Sequence, residues 1–410
     1  MQALTTNIPN NRVKILLLEN IHPSAMEVFA HEGFQVETSA SAPKPDELKK
    51  IIRDVHILGI RSKTHIPADA LKEARQLLAL GCFCIGTNQV DLDAANLRGV
   101  PVFNAPFSNT RSVAEMILAE IVILARQIGD RSREMHDGNW RKVAAGCYEV
   151  RGKTLGIVGY GHIGTQIGVL AESFGLRVIF FDIGTKLPIG NNRSVDTLGE
   201  LLREADFVTL HVPATPQTAG MIGPSELAQM KPGSYLLNAS RGGVVQISAL
   251  AASIKAGHLH GAAIDVYPDE PEANGEGFES ELRGLPNVLL TPHIGGSTEE
   301  AQAAIGREVA LSLTRFINSG ATTGAVNFPQ VELPKLKGMH RILNVHKNVP
   351  GVLRDINKIV SDRNANIRSQ VLSTDANIGY LIMDLEQNVS DDVCSDIAAL
   401  QTNIRTRINY

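Results

Sequence analysis

Three side chains stand where strand-like runs end: "YLLNASR" stops at Arg241, "GAAIDVYPDE" carries Asp265 and runs on to Glu270, and "NVLLTPH" stops at His293. Their types suit one reaction. Histidine, with an unperturbed pKa of about 6.5, exchanges protons near neutrality. A glutamate on its other ring nitrogen would fix the tautomer and favour the imidazolium form. Arginine offers a planar fork to a carboxylate and can polarise a reacting oxygen. Together they fit oxidation of an α-hydroxy acid, in which a base takes the hydroxyl proton while the carbinol carbon gives up a hydride. Each residue alone has an ordinary reading, as a surface salt bridge, a solvated loop acid or a satisfied strand-end histidine. Open parallel sheets bind ligands outside the carboxyl ends of their strands, so three such groups at one edge argue for a site. Hydrolysis is poorly supported, since the chain has no G-x-S-x-G elbow and no cluster with metal-ligand spacing.

A hydride needs an acceptor, and "KTLGIVGYGHIGTQIG" from Lys153 reads as strand, glycine turn and helix. Gly159 would allow the tight turn, Gly161 the approach of a pyrophosphate, and Gly164 close packing of helix on strand. His162 and Ile163 lie between them, where free N–H groups at a helix start favour negative charge. Asp182 ends the next strand, "RVIFFD", and can accept hydrogen bonds from ribose hydroxyls. Its carboxylate would repel a ribose phosphate, so NAD is expected rather than NADP.

These groups need a scaffold of strands ending at one edge. The chain of 410 residues suggests two or three domains at roughly 150 residues each. From residue 13 to 106, "VKILLLEN", "GFQVETSA", "HILGIRS", "LLALGC" and "VPVFNAP" read as strands alternating with helices, and a long helix follows from about Asn109 to Ile128. A second alternating series runs from Lys153 to "NVLLTP", the pattern of a doubly wound parallel sheet. After the helix "TEEAQAAIGREVALSLTRFIN" and the proline-bearing "VNFPQVELPKLKG", residues 340–410 read as strand, helix, strand, strand, helix, strand. A net charge of −4 gives no basic excess for nucleic acid or anionic membrane. The four cysteines make no disulfide framework and read as buried thiols. "SVAEMILAEIVILA" is too short and too charged to span a bilayer. With no signal-like start, a cytoplasmic protein is expected.

"GIVGYGHIG", "MKPGSYLLNASRGGVV", "GAAIDVYPDEP", "LTPHIGGST" and "SNTRSVAEMILAEI" resemble the D-isomer-specific 2-hydroxyacid dehydrogenases. The resemblance implies an α/β architecture of two doubly wound parallel-sheet domains. A Rossmann-like nucleotide domain (109–298) would be inserted in a flavodoxin-like substrate domain (1–108 and 299–337, linker included), with the cleft between them closing on substrate. A small βαββαβ ACT domain (338–410) would follow. It also implies Arg241, Glu270 and His293 as catalytic residues. The NAD contacts it implies are Gly159, Gly161, His162, Ile163, Gly164, Asp182, Ala239, Ser240, Arg241, Asp265, His293, Gly295 and Gly296, with the last two glycines easing hinge motion.

With "RSKTH" and "LGCFCIGTNQVDLDAA" included, the whole chain is similar to the short, ACT-bearing branch of that family. That branch oxidises 3-phosphoglycerate in serine synthesis, is inhibited by L-serine and forms homotetramers. The implied substrate contacts are Arg61, Ser62, Lys63, Asn109 and Lys142, and the implied serine contacts are His346, Asn348 and Asn366. The chain departs from that pattern at Lys63, where an arginine is expected, and at Lys337–Gly338, where a glycine pair is expected. A related glyoxylate or hydroxypyruvate reductase and a non-catalytic NAD-sensing scaffold are the alternatives. No metal is expected.

Overall fold

Four-residue runs without a polar face, such as "ILGI", "FVTL" and "GAAI", form strands buried on both sides, which is what a sheet covered by helices on both faces requires. The computed structural model describes residues 8–271, 274–386 and 389–410. The chain divides into two compact units, Met1–Ser108 with Gln302–Tyr410, and Asn109–Ala301.

The first unit contains a parallel sheet of β1 (Lys14–Leu17), β2 (Gln35–Thr38), β3 (Ile57–Ile60), β4 (Ala79–Cys82) and β5 (Val102–Phe103), in the order β2-β1-β3-β4-β5. Strand order reverses between β1 and β3, so the loops leaving those two strands flank a crevice. The same unit holds a four-stranded antiparallel sheet of β13 (His340–Lys347), β14 (Ile367–Thr374), β15 (Ile378–Leu385) and β16 (Asn403–Asn409). Its order is β14-β15-β13-β16.

Side chains alternate across β15. Leu381, Met383 and Leu385 pack with residues of the helices Val352–Asp362 and Ser390–Ala398. Tyr380 and Ile382 join Phe103, Phe316 and Phe328 in the core of the first unit. Burial on both faces explains why every residue of β15 is buried. The seam also encloses Arg341, whose guanidinium grips Asp384 at 2.6 and 2.8 Å and donates to the carbonyls of Ser319, Leu333 and Pro334.

The second unit is built on seven parallel strands, numbered β6 to β12 between β5 and β13. They are β6 (Thr154–Val158), β7 (Arg177–Phe181), β8 (Arg193–Ser194), β9 (Phe207–Leu210), β10 (Tyr235–Asn238), β11 (Gly261–Ile264) and β12 (Val288–Leu290). The order is β12-β11-β10-β9-β6-β7-β8, reversing between β6 and β9. The short β8 carries too few apolar residues to be read from sequence.

The long helix expected from about Asn109 to Ile128 is Thr110–Arg126, and Gln127, left-handed with φ 53°, separates it from a second helix, Ile128–His136, that the pattern did not indicate. Such a residue ends a helix by turning the chain aside. No glycine or proline there announces it. The expectation of buried thiols holds for Cys82 and Cys394, whereas Cys84 and Cys147 are only partly buried. Among the described residues no helix is long and apolar enough to cross a membrane.

Candidate active site

The three loops leaving β10, β11 and β12 are tied together by groups other than the proposed catalytic ones. At the end of β10, buried Asn238 accepts from the Ser240 N–H (3.0 Å) and hydroxyl (2.7 Å) and donates to the Arg241 carbonyl (3.1 Å). Arg241 then enters the tight turn Gly242–Val244, with its guanidinium on the Ser240 carbonyl at 2.6 Å. A Cβ on Gly242 would lie 1.9 Å from the Tyr267 backbone, so only glycine lets the Arg241 loop press on the loop after β11.

Tyr267 joins that loop to its neighbours. Its N–H donates to Glu270 Oε1 at 3.1 Å, and its hydroxyl lies 2.9 and 3.0 Å from the carbonyls of Ile264 and Thr291. Burial, reinforced by the nearby Asp265 carboxylate, pushes its phenol up to about 12, so it stays a donor.

His293 is held from both sides by Asp265, which is 2% exposed. That carboxylate accepts from the Thr291 hydroxyl (2.6 Å) and from the N–H groups of Ile294 and Gly295 (2.8 Å each). The grip forces His293 into φ 54°, unusual for a residue with a side chain. Its Nδ1 then meets Glu270 Oε2 at 2.8 Å, with 51% of the histidine side chain and 36% of the glutamate side chain open to solvent. A carboxylate on Nδ1 selects the tautomer that leaves Nε2 free to accept a proton.

Glu120 lies buried in the helix Thr110–Arg126. Burial first, and the Asp265 charge second, push its carboxyl up to about 8. Gly295 and Gly296 have packing reasons to be glycine. Added Cβ atoms would lie 3.0 Å from the Asp265 carboxylate and 2.2 Å from the Asn109 amide.

At the other end of this edge, the glycine turn fits a dinucleotide. A Cβ on Gly159 (φ 91°) would strike the His211 carbonyl at 2.4 Å, and one on Gly164 would strike the Gly159 carbonyl at 2.3 Å. Protein packing therefore explains those two. A Cβ on Gly161 would meet nothing within 4 Å, so packing within the chain does not require glycine there. Gly161 opens the helix His162–Ser173, whose first N–H groups lack intrahelical partners and suit phosphate oxygens. His162 and Ile163 are its first two residues. Asp182 follows β7 and accepts from the N–H groups of Tyr160 (2.8 Å) and Gly184 (2.9 Å), which places the acid beside the turn. Half-buried Ala239 lies between Asn238 and Ser240.

The expected substrate residues fall in both units. Arg61, Ser62 and Lys63 leave β3 in the first, and Asn109 and Lys142 lie in the second. Asn109 is buried at the start of its helix with no hydrogen-bond partner for Oδ1 among the described residues, whereas Lys142 is exposed. Of the expected serine contacts, Asn348 and Asn366 are exposed. The Asn348 amide donates to the Asp375 carbonyl at 2.7 Å, and that of Asn366 lies 3.4 Å from Glu386. His346 is 3% exposed, bonds to Asn344 at 2.8 Å and lies under Gly379, where a Cβ would come within 2.3 Å of its Nε2. Burial holds its pKa below the ordinary histidine value. Sequence reasoning missed Asn238, Tyr267 and Glu120: Asn238 ties its own turn through Ser240 and Arg241, and the Tyr267 hydroxyl also reaches the Thr291 carbonyl in a distant segment.

The fold and edge geometry agree with comparisons to known proteins. Residues 118–295 match the D-isomer specific 2-hydroxyacid dehydrogenase NAD binding domain, and residues 342–405 match an AHAS small subunit-like ACT domain. A D-3-phosphoglycerate dehydrogenase of Dictyostelium discoideum is 56% identical over 99% of both chains. The chain belongs to that family. A D-3-phosphoglycerate dehydrogenase of Escherichia coli is 50% identical over 98% of this chain and 99% of its own. Among solved structures, the D-lactate dehydrogenase of Aquifex aeolicus shares the fold with a TM-score of 0.68. It is 24% identical, over 77% of this chain and 100% of its own. The chain is thus an NAD-dependent dehydrogenase with a C-terminal ACT-like module.

Proposed function

We propose that the chain oxidises D-3-phosphoglycerate to 3-phosphohydroxypyruvate, the first step towards L-serine, and that L-serine inhibits it through the ACT-like module. The observation that carries the reaction is the 2.8 Å contact of His293 Nδ1 with Glu270, on a loop that Asp265 clamps on both sides of the histidine. His293 Nε2 takes the substrate hydroxyl proton, and Glu270 stabilises the imidazolium that forms. Arg241, anchored at the Ser240 carbonyl, pairs with the substrate carboxylate and polarises the reacting oxygen. Bound NAD supplies the hydride-accepting ring. Gly159–Gly164 and Asp182 hold its phosphates and ribose, with Ala239, Ser240, Asp265, Gly295 and Gly296 completing the contacts. Arg61, Ser62, Lys63, Asn109 and Lys142 bind the substrate.

His346, Asn348 and Asn366 form the effector site, with Asn348 exchanging its bond to the Asp375 carbonyl for one to serine. The protein works in the cytoplasm as a homotetramer. NADH formation from 3-phosphoglycerate, with and without L-serine, tests the reading. Turnover and serine inhibition are expected, and Asn348→Ala should weaken inhibition while leaving uninhibited turnover unchanged. Equal efficiency with phosphorylated and unphosphorylated hydroxypyruvate would point instead to a general 2-oxo acid reductase. Binding of NADH without turnover would point to a sensing scaffold.

A further inference from the structure

Glu19 follows β1 at the point where strand order in the five-stranded sheet reverses. It and Asn20 both have positive φ, 60° and 51°, a costly pairing for residues with side chains. The distortion turns the Glu19 carboxylate inward, where the residue is 7% exposed. There it collects peptide N–H groups from the loop leaving β3. Oε1 accepts from Arg61 (3.1 Å) and Thr64 (2.9 Å), and Oε2 accepts from Lys63 (3.0 Å). An ionised carboxylate out of water needs such charge-assisted bonds.

The loop is fixed from other directions too. Buried Gln89 donates to the Arg61 carbonyl at 2.8 Å, and the Arg61 guanidinium donates to Gln302 at 2.7 Å. Arg61 is thereby held at its N–H, its carbonyl and its side chain. Ser62 is the one residue from 61 to 64 whose N–H Glu19 does not take, and it and Lys63 are exposed. An anion at this loop therefore meets two cationic side chains and Ser62, while the remaining amides are already engaged by the protein.

We propose that Glu19 is a positioning residue for substrate, whose buried carboxylate presets the Arg61–Ser62–Lys63 loop to receive the phosphate-bearing end of the molecule. The inference rests on the phosphoglycerate reading above. Its test is steady-state kinetics of Glu19→Gln, with Glu19→Asp and Arg61→Ala alongside and folding checked by circular dichroism. Gln is isosteric, but its NH2 group faces peptide donors.

In Glu19→Gln the KM for 3-phosphoglycerate should rise about tenfold or more, with kcat and the KM for NAD changed less than about threefold. In the reverse direction the KM for phosphohydroxypyruvate should rise and that for unphosphorylated hydroxypyruvate should not. Glu19→Asp, which keeps both acceptor oxygens, should recover part of the loss. An unchanged KM in Glu19→Gln, or an equal rise for phosphorylated and unphosphorylated substrates, would overturn the proposal. If Arg61→Ala leaves the phosphoglycerate KM unchanged, the loop does not bind substrate and the underlying reading fails with it. If Arg61→Ala raises KM and Glu19→Gln does not, only the role of Glu19 is lost.

Discussion

The carboxyl edges of the two parallel sheets are organised in the same way around different cargo. After β11, Asp265 is buried and accepts a hydroxyl and two N–H groups from the loop that carries His293. After β1, Glu19 is buried and accepts three N–H groups from the loop that carries Arg61 and Lys63. In each case an acid satisfied by backbone shapes the loop, and a different side chain is left for the ligand. The difference lies in what is added. The seven-stranded edge sets a second, solvent-accessible carboxylate, Glu270, against His293, which equips it for proton transfer. The loop after β3 offers two cations and a hydroxyl, which suits recognition of an anion and no bond rearrangement. A buried acid at a loop root therefore marks a positioned loop, and the exposed partner identifies its task.

Removing the exposed partner should have the largest effect. His293→Ala should lower kcat by about 10²–10⁴-fold with NADH affinity changed less than about threefold, as loss of a general base does. Near-normal turnover in a folded variant would strip the seven-stranded edge of its proposed chemistry. Asp265→Asn tests the clamp. The amide keeps one acceptor oxygen but turns a donor towards N–H groups, so kcat should fall by roughly 10–100-fold through misplacement of His293. Equal kinetics in Asp265→Asn and wild type would break the parallel with Glu19.

The last prediction concerns stability and leaves turnover aside. Glu120 is held protonated to about 8, whereas its ordinary carboxyl value is 4.5. Between those values the folded chain binds a proton that the unfolded chain has released, so stability should fall as pH rises through that window, by on the order of a few kcal/mol. Glu120→Gln removes the titrating group and should flatten the pH dependence of Tm between about pH 5 and 8. The same slope in variant and wild type would show that Asp265 is not facing a neutral acid.

Much of this molecule could be read before its fold was known. Continuously apolar runs announced the parallel strands, because a strand covered on both faces has no polar side. The glycine turn announced itself because Gly159 and Gly164 sit where a Cβ would collide with a carbonyl. Arg241, Glu270 and His293 were visible because each closes or follows such a run. Local chemistry did not reveal the left-handed Gln127 and the second helix that follows it, or the burial of His346 under Gly379.

What composition and periodicity determined by themselves is therefore the order of strands and helices and the residue types delivered to strand ends, since both depend on near neighbours in the chain. Tertiary structure alone decided which acids became buried anchors. Glu19 reaches across more than 40 positions to Arg61, Lys63 and Thr64, and Asp265 reaches across 26 to 30 positions to the His293 loop. Nothing in a lone glutamate or aspartate specifies such partners. Strand order and loop path bring the donors to it, and removal from water makes those bonds obligatory.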